Sequence, residues 1–509
     1  METIYQQLEL LVRYGVQKNL ISELDTVYVR NLLLDVLDLD EPGEAYTPDA
    51  AAIPDQPAPI LEPMLDWAYE NGRFAENTVT ERDLYDTKLM SCLTVRPAEV
   101  TRHFKQIYHE RGAEEATADF YQFSQDTHYI RQDRVAKNES WAVPTEFGEL
   151  EVTINLSKPE KDPKEIEKAK QTAAVDYPQC PLCIENVGYR GRSNHPARQT
   201  LRTVPLTLLD EQWHLQFSPY VYYHEHAIVL KDEHVPMKIT AETFERLLQF
   251  TDAYPHYFIG SNADLPIVGG SILSHDHFQA GKHEFPMAKA AEVTEFTVSG
   301  FEDVRACSLK WPMSAIRLQG ADRESVREAA VKVFEAWKAY SDRSVGIYAF
   351  TGDTPHNTVT PIARTRDGRY ELDLILRNNR TDDTHPAGIF HPHADVHHIK
   401  KENIGLIEAM GLAILPGRLK EELALLAEAL TANDPAQAVA NDERIEKHAD
   451  WAKKLVSDYP DVDWQQDGMP IFEKEIGLIF ARILTDAGVF KQDDTGQHAF
   501  KQFLHSLSE

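Results

Sequence analysis

Four cysteines in 509 residues, at positions 92, 180, 183 and 307, are too few for a disulfide framework. Positive charge is also scarce. The 52 Lys and Arg face 82 Asp and Glu, a formal net charge of -30. That deficit excludes the broad cationic surface that nucleic acid or an anionic membrane selects, so neither is expected as a partner. Phosphorylated metabolites remain open as ligands wherever cations are concentrated locally. No apolar run approaches the ~20 residues of a membrane span, and the opening METIYQQLELLVRYGVQKN has the texture of a helix rather than of a signal peptide. These shortages describe a cytoplasmic soluble enzyme. Its length is too great for one core, and three or four structural units are expected.

Up to about residue 125 the chain reads as mostly helical, with Ile4, Leu8, Leu11 and Val12 at helical spacing. Short strands are expected next, in HYIRQDRVAK and FGELEVTINL. The mixed charges of SKPEKDPKEIEKAK then suggest an exposed loop and helix. One theme follows twice. HLQFSPYVYYHEHAIVL, the helix ITAETFERLLQFTDAY and the strands HYFIGSN and SILSHDHFQAG form the first pass. The second pass is VRACSLKWPMSAIRLQ, the helix RESVREAAVKVFEAWKAY, the strand VGIYAF and VTPIARTRDGRYELDLIL, in which Asp367-Gly368 signals a hairpin turn. Beyond about residue 401 the remainder reads as helical. Strands joined by helices and antiparallel hairpins predict an α+β protein rather than a doubly wound parallel sheet.

Chemistry-bearing residues gather in a few places. Cys180 and Cys183 in CPLC suit a metal about as well as they suit core or redox thiols. Other ligand-type residues are His234 in KDEHVPM and His275 in GGSILSHDHFQ. Alternation along a strand would put His275, His277 and Gln279 on one face. The cluster His391, His393, His397 and His398 lacks clean ligand spacing, and a solvated or substrate-facing loop is the better reading. Arg190, Arg192 and Arg198 suit phosphate or surface salt bridges equally. Gly269-Gly270 would let backbone amides approach a phosphate.

FSPYVYYHEHAIVLKDEH followed by GGSILSHDHFQ resembles the histidine-triad superfamily, and Gln279 in the third place is similar to its transferase branch. CPLCIENVGYRGRSNHPARQ, TPIARTRDGRYELDLILRNN and HHIKKENIGLIEAMGLAILPGRL are similar to the type 2 galactose-1-phosphate uridylyltransferases, over essentially the full length. The resemblance implies a helical region 1–125, two histidine-triad-like halves at 126–290 and 291–417, and a helical region 418–509. It implies UMP exchange between UDP-glucose and galactose 1-phosphate, giving glucose 1-phosphate and UDP-galactose. His277 would be the nucleophile, expected half-exposed, and Gln279 would bond a phosphate oxygen. Asn262 in IGSNAD resembles the family asparagine that supports the nucleophile's backbone, and Asn262, Gly270 and Ser271 are expected on the substrate side of the site. Cys180, Cys183, His234 and His275 would complete a closed tetrahedral zinc set, structural rather than catalytic. A homodimer is the family expectation.

His275-Asp276-His277 departs from the His-Pro-His of type 1 enzymes, although alternation turns Asp276 to the opposite face. Three other functions compete. A histidine-triad nucleotide hydrolase or phosphorylase would share the covalent histidine, but Gln279 argues against it. A zinc-ribbon nucleic-acid module would want a second CxxC and a basic surface. A non-catalytic sugar-nucleotide sensor would not need His277 and Gln279.

Overall fold

A computed structural model describes residues 3–157 and 175–509. Apart from Ser157, the segment SKPEKDPKEIEKAK lies outside the described residues. The N-terminal helices form where expected. Thr3 and Gln6 close a capping box on the helix Ile4–Gln17. Its buried Leu8, Leu11 and Val12 pack with Val29, Leu33 and Leu37 of the helix Thr26–Leu37 and with Ile60, Leu61 and Met64 of the helix Ala58–Glu70. The strand expected in HYIRQDRVAK does not form. His128 takes a left-handed backbone (φ 59), which no strand accommodates, and Gln132–Val135 is a helical turn. Arg131 and Arg134 reach Asp86 and Asp83 at 2.8 and 2.9 Å, so long-range ion pairs decide this segment.

The strands follow in chain order. β1 (Glu139–Thr145) and β2 (Gly148–Asn155) form a hairpin, and β3 (Val204–Leu208), β4 (Glu211–Phe217) and β5 (Ala227–Lys231) an antiparallel meander. After the helix Ala241–Ala253 come β6 (Phe258–Gly260), β7 (His277–Gly281), β8 (Glu292–Phe296), β9 (Arg305–Leu309) and β10 (Ala315–Gly320). The helix Arg323–Ala339 then leads to the short pair β11 (Phe350–Thr351) and β12 (Thr354–Pro355), and to the hairpin β13 (Asn357–Arg366) and β14 (Arg369–Asn378). Its turn is the expected Asp367-Gly368, with both residues at positive φ (50° and 73°) as a type I′ turn needs. β15 (Leu412–Pro416) corrects the all-helical expectation for the C-terminal part. Gly411, at φ 104°, ends the helical turn Leu406–Ala409, and LAILP pairs in parallel with β2.

The chain divides into two compact units, Met1–Lys137 with Ser157–Val235, and Asn138–Leu156 with Pro236–Glu509. In the second, strands run side by side in the order β7-β6-β13-β14-β10-β9-β8. Directly paired residues share a face. Ile259, Ala363, Leu372 and Leu318 therefore make one face apolar, and the helices Ala241–Ala253 and Arg323–Ala339 pack on this sheet. The opposite face carries Gln279, Gly260, Ile362, Asp373 and Arg317 in a single row across five strands. Arg317 and Asp373 are both buried there, joined by two bonds of 2.7 and 2.9 Å.

Candidate functional site

His277 opens β7 and shares the polar face with Gln279, two residues on. Since the strand starts at His277, alternation does not place His275, which sits in the bend before it. That bend does something more specific. The His275 carbonyl lies 2.8 Å from His277 Nδ1 and is an acceptor only, so Nδ1 carries the proton and donates it there. Nε2 is left with its lone pair. His277 is only 6 % exposed, against the half-exposure expected, and burial pushes its imidazole down to about 4. Near pH 7 it is therefore a neutral, oriented nitrogen base. Gln279 is half-buried beside it and pairs with Gly260 on β6.

The loop between β6 and β7 packs by close approach. A Cβ on Gly269 would lie 2.5 Å from the Ala263 carbonyl oxygen, and one on Gly270 2.7 Å from Asn262 Nδ2. Both positions thus require glycine for packing reasons, whatever their amides do. Asn262 is buried, and its Oδ1 accepts from the Leu406 amide at 2.9 Å. Ser271 is exposed.

Cys180 and Cys183 are buried, are not joined by a disulfide, and have sulfurs 3.4 Å apart. Cys183 Sγ lies 3.0 Å from His234 Nδ1. The ligand atoms of Cys180, Cys183, His234 and His275 all fall within 4.8 Å of one another. A zinc tetrahedron with ~2.3 Å Zn–S bonds sets sulfurs about 3.8 Å apart, so this two-thiol, two-imidazole set could hold such an ion after small shifts. Burial, with Cys180 alongside, pushes the Cys183 thiol up to about 12. A dication would lower that strongly by stabilising the thiolate. Asn186 supports the loop, donating to the carbonyls of both Cys180 and Cys183 at 2.8 Å while His195 meets its Oδ1 at 2.7 Å. Nothing in CIEN marks Asn186 for this role before the loop is folded.

The later histidines do not assemble a second metal group among the described residues. His391 faces the Pro392 carbonyl and Asn403, His397 the Pro392 carbonyl, His393 the Ile389 carbonyl, and His398 the ring of His448. Arg192 bonds the Tyr189 hydroxyl at 2.7 Å and the Tyr177 carbonyl at 2.9 Å. Arg198 lies over the Tyr129 ring, and Arg190 is exposed. Sequence reasoning also missed Leu406, whose side chain covers Gly260 so tightly that a Cβ there would stand 2.9 Å from Leu406 Cδ1.

An α+β scaffold that presents a neutral, oriented imidazole at the start of a strand suits the class of histidine-mediated group transfer. Residues 19–236 match the galactose-1-phosphate uridyl transferase N-terminal domain, and residues 246–453 match its C-terminal domain. The chain is 59 % identical over 503 residues to a galactose-1-phosphate uridylyltransferase of Halalkalibacterium halodurans, covering 99 % of this chain and 98 % of that one. A protein of the same name from Bacillus subtilis is 54 % identical over 508 residues, with coverage of 99 % and 98 %. The chain belongs to the galactose-1-phosphate uridylyltransferase family.

Proposed function

We propose that this chain is a UDP-glucose–hexose-1-phosphate uridylyltransferase that moves UMP from UDP-glucose to galactose 1-phosphate through a uridylyl-His277 intermediate. The His277 Nδ1 bond to the His275 carbonyl carries the reading, since it leaves Nε2 as the free nucleophile. In the first half-reaction the Nε2 lone pair attacks the α-phosphorus of UDP-glucose. The bond from that phosphorus to the bridging oxygen breaks, and glucose 1-phosphate departs with the electron pair. In the second, a phosphate oxygen of galactose 1-phosphate attacks the same phosphorus, the P–N bond breaks, and UDP-galactose forms. Two similar displacements replace one difficult exchange, which makes the kinetics ping-pong.

Gln279 would bond a non-bridging oxygen of the transferred group. A neutral amide has no ionisable proton to pass to water, which favours transfer to a sugar phosphate over the hydrolysis or phosphorolysis of other histidine-triad enzymes. Asn262, Gly270 and Ser271 are assigned to the substrate side of the same site. Asn262 is better supported as a packing link than as a direct contact, given its bond to Leu406.

Cys180, Cys183, His234 and His275 would hold zinc as a closed structural site, His275 being the residue whose carbonyl orients His277. The two histidine-triad-like halves at 126–290 and 291–417, with helical flanks at 1–125 and 418–509, form the proposed domain plan. Cytoplasmic location and a homodimer belong to the same reading. Among the described residues no helix is long and apolar enough to cross a membrane.

Mass spectrometry after mixing the protein with UDP-glucose alone tests the function. The expected product is a uridylylated peptide containing His277, absent from His277→Ala, with glucose 1-phosphate released. An unlabelled peptide, or normal turnover by His277→Ala, rejects the mechanism.

A further inference from the structure

Arg377 on β14 is 1 % exposed, and the groups it bonds are neutral. Its Nη2 donates to the Ile404 carbonyl at 2.8 Å and its Nη1 to the Thr360 hydroxyl at 3.3 Å, while Nε has no partner. Glu408 is the acid that bears on it electrostatically, and that carboxylate is itself taken by Lys400 at 3.0 Å and the Gly405 amide at 3.2 Å. A desolvated guanidinium with no ion-pair partner is expensive for the fold. It is poorly explained as a stabilising contact.

Its bond to Ile404 begins a continuous chain of contacts. Two residues on, the Leu406 amide donates to Asn262 Oδ1 at 2.9 Å. The Leu406 side chain covers Gly260, the residue that pairs with Gln279. On its other side Asn262 lies against Gly270, in the loop that leads to His277. The Asn403 amide also reaches the Gly269 carbonyl, at 3.5 Å.

We propose that Arg377 is a positioning residue for uridylyl transfer: by fixing the Ile404 carbonyl it holds the Gly405–Leu406 turn, which seats Asn262, Gly260 and the loop that delivers His277. The inference rests on the proposed role of His277. It explains why a costly cation sits where an apolar side chain of equal length would pack: the polar fork reaches two anchors at once, which no apolar group does.

A purely structural role would make activity and stability fall together. The positioning role separates them, because removing a desolvated charge that no ion pair compensates offsets the loss of its two hydrogen bonds. Single-turnover mixing of the full-length enzyme with UDP-glucose, following glucose 1-phosphate release, reads the first chemical step alone. Arg377→Met is expected to keep or raise Tm, and to leave half-saturation by UDP-glucose within about twofold. The step itself should slow by about tenfold or more, the scale of a misplaced reacting group. A wild-type rate in that variant, or rate and Tm falling together, overturns the proposal. If the methionine variant does not fold, Leu406→Ala carries the test, since it uncovers Gly260 and leaves the guanidinium in place. It should slow the step similarly at unchanged half-saturation, and a wild-type rate there overturns the proposal. Wild-type enzyme that releases glucose 1-phosphate without labelling His277 defeats the nucleophile assignment instead, so the two failures are distinguishable.

Discussion

The nitrogen proposed to attack phosphorus at His277 must be unprotonated, and two separate features of the fold favour that state. Burial keeps the ring neutral, and the His275 carbonyl fixes which nitrogen bears the proton. The family resemblance proposes roles for His277 and Gln279, but the tautomer comes from a backbone carbonyl that no residue type reveals. Gln279 offers the sharper residue-scale experiment. Gln279→His would put an ionisable group where the amide stands and open a route for proton transfer to or from water. Transferase activity is expected to fall, and UMP should appear from UDP-glucose without acceptor, at a modest rate. Unchanged exchange kinetics with no UMP, measured by chromatography of the quenched mixture, would remove Gln279 from the mechanism.

At the scale of elements, the proposed metal site draws on the Cys180–Cys183 loop, which Asn186 braces. With four protein ligands no coordination position remains for water, so a zinc ion there would act through geometry. Cys180→Ser and Cys183→Ser are each expected to lower zinc content and Tm together, with activity lost as a consequence. Replacing zinc by another tetrahedral divalent ion should leave the pH–rate profile nearly unchanged, because no metal-bound water is ionised. Elemental analysis checks the premise: fully active protein holding less than about 0.2 zinc per chain would contradict a closed structural site. The elements themselves were unevenly legible. Helices such as Arg323–Ala339 and the Asp367-Gly368 hairpin were plain because local periodicity and turn chemistry determine them. HYIRQDRVAK and LAILP were misread. In the first, ion pairs to Asp83 and Asp86 override local preference, and in the second, parallel pairing with β2 does.

For the whole molecule, a charge of -30 acts on substrates that are themselves anions. Long-range repulsion should slow the approach of both UDP-glucose and galactose 1-phosphate, and salt should relieve it as the screening length falls from ~30 Å at 0.01 M to ~8 Å at 0.15 M. Steady-state kcat/KM for either substrate is expected to rise over that range. A fall would mean that cations near the site outweigh the body of the protein. By itself the sequence determined the α+β class, which local periodicity and turn chemistry give, and the uridylyltransferase family, which its motifs resemble. Tertiary structure alone decided that Leu406 covers Gly260, that Asn262 serves the Leu406 amide, and that a buried Arg377 holds Ile404. Those contacts join residues from 27 to 146 positions apart along the chain, where sheet register and burial choose the partner and residue spacing carries no trace of it.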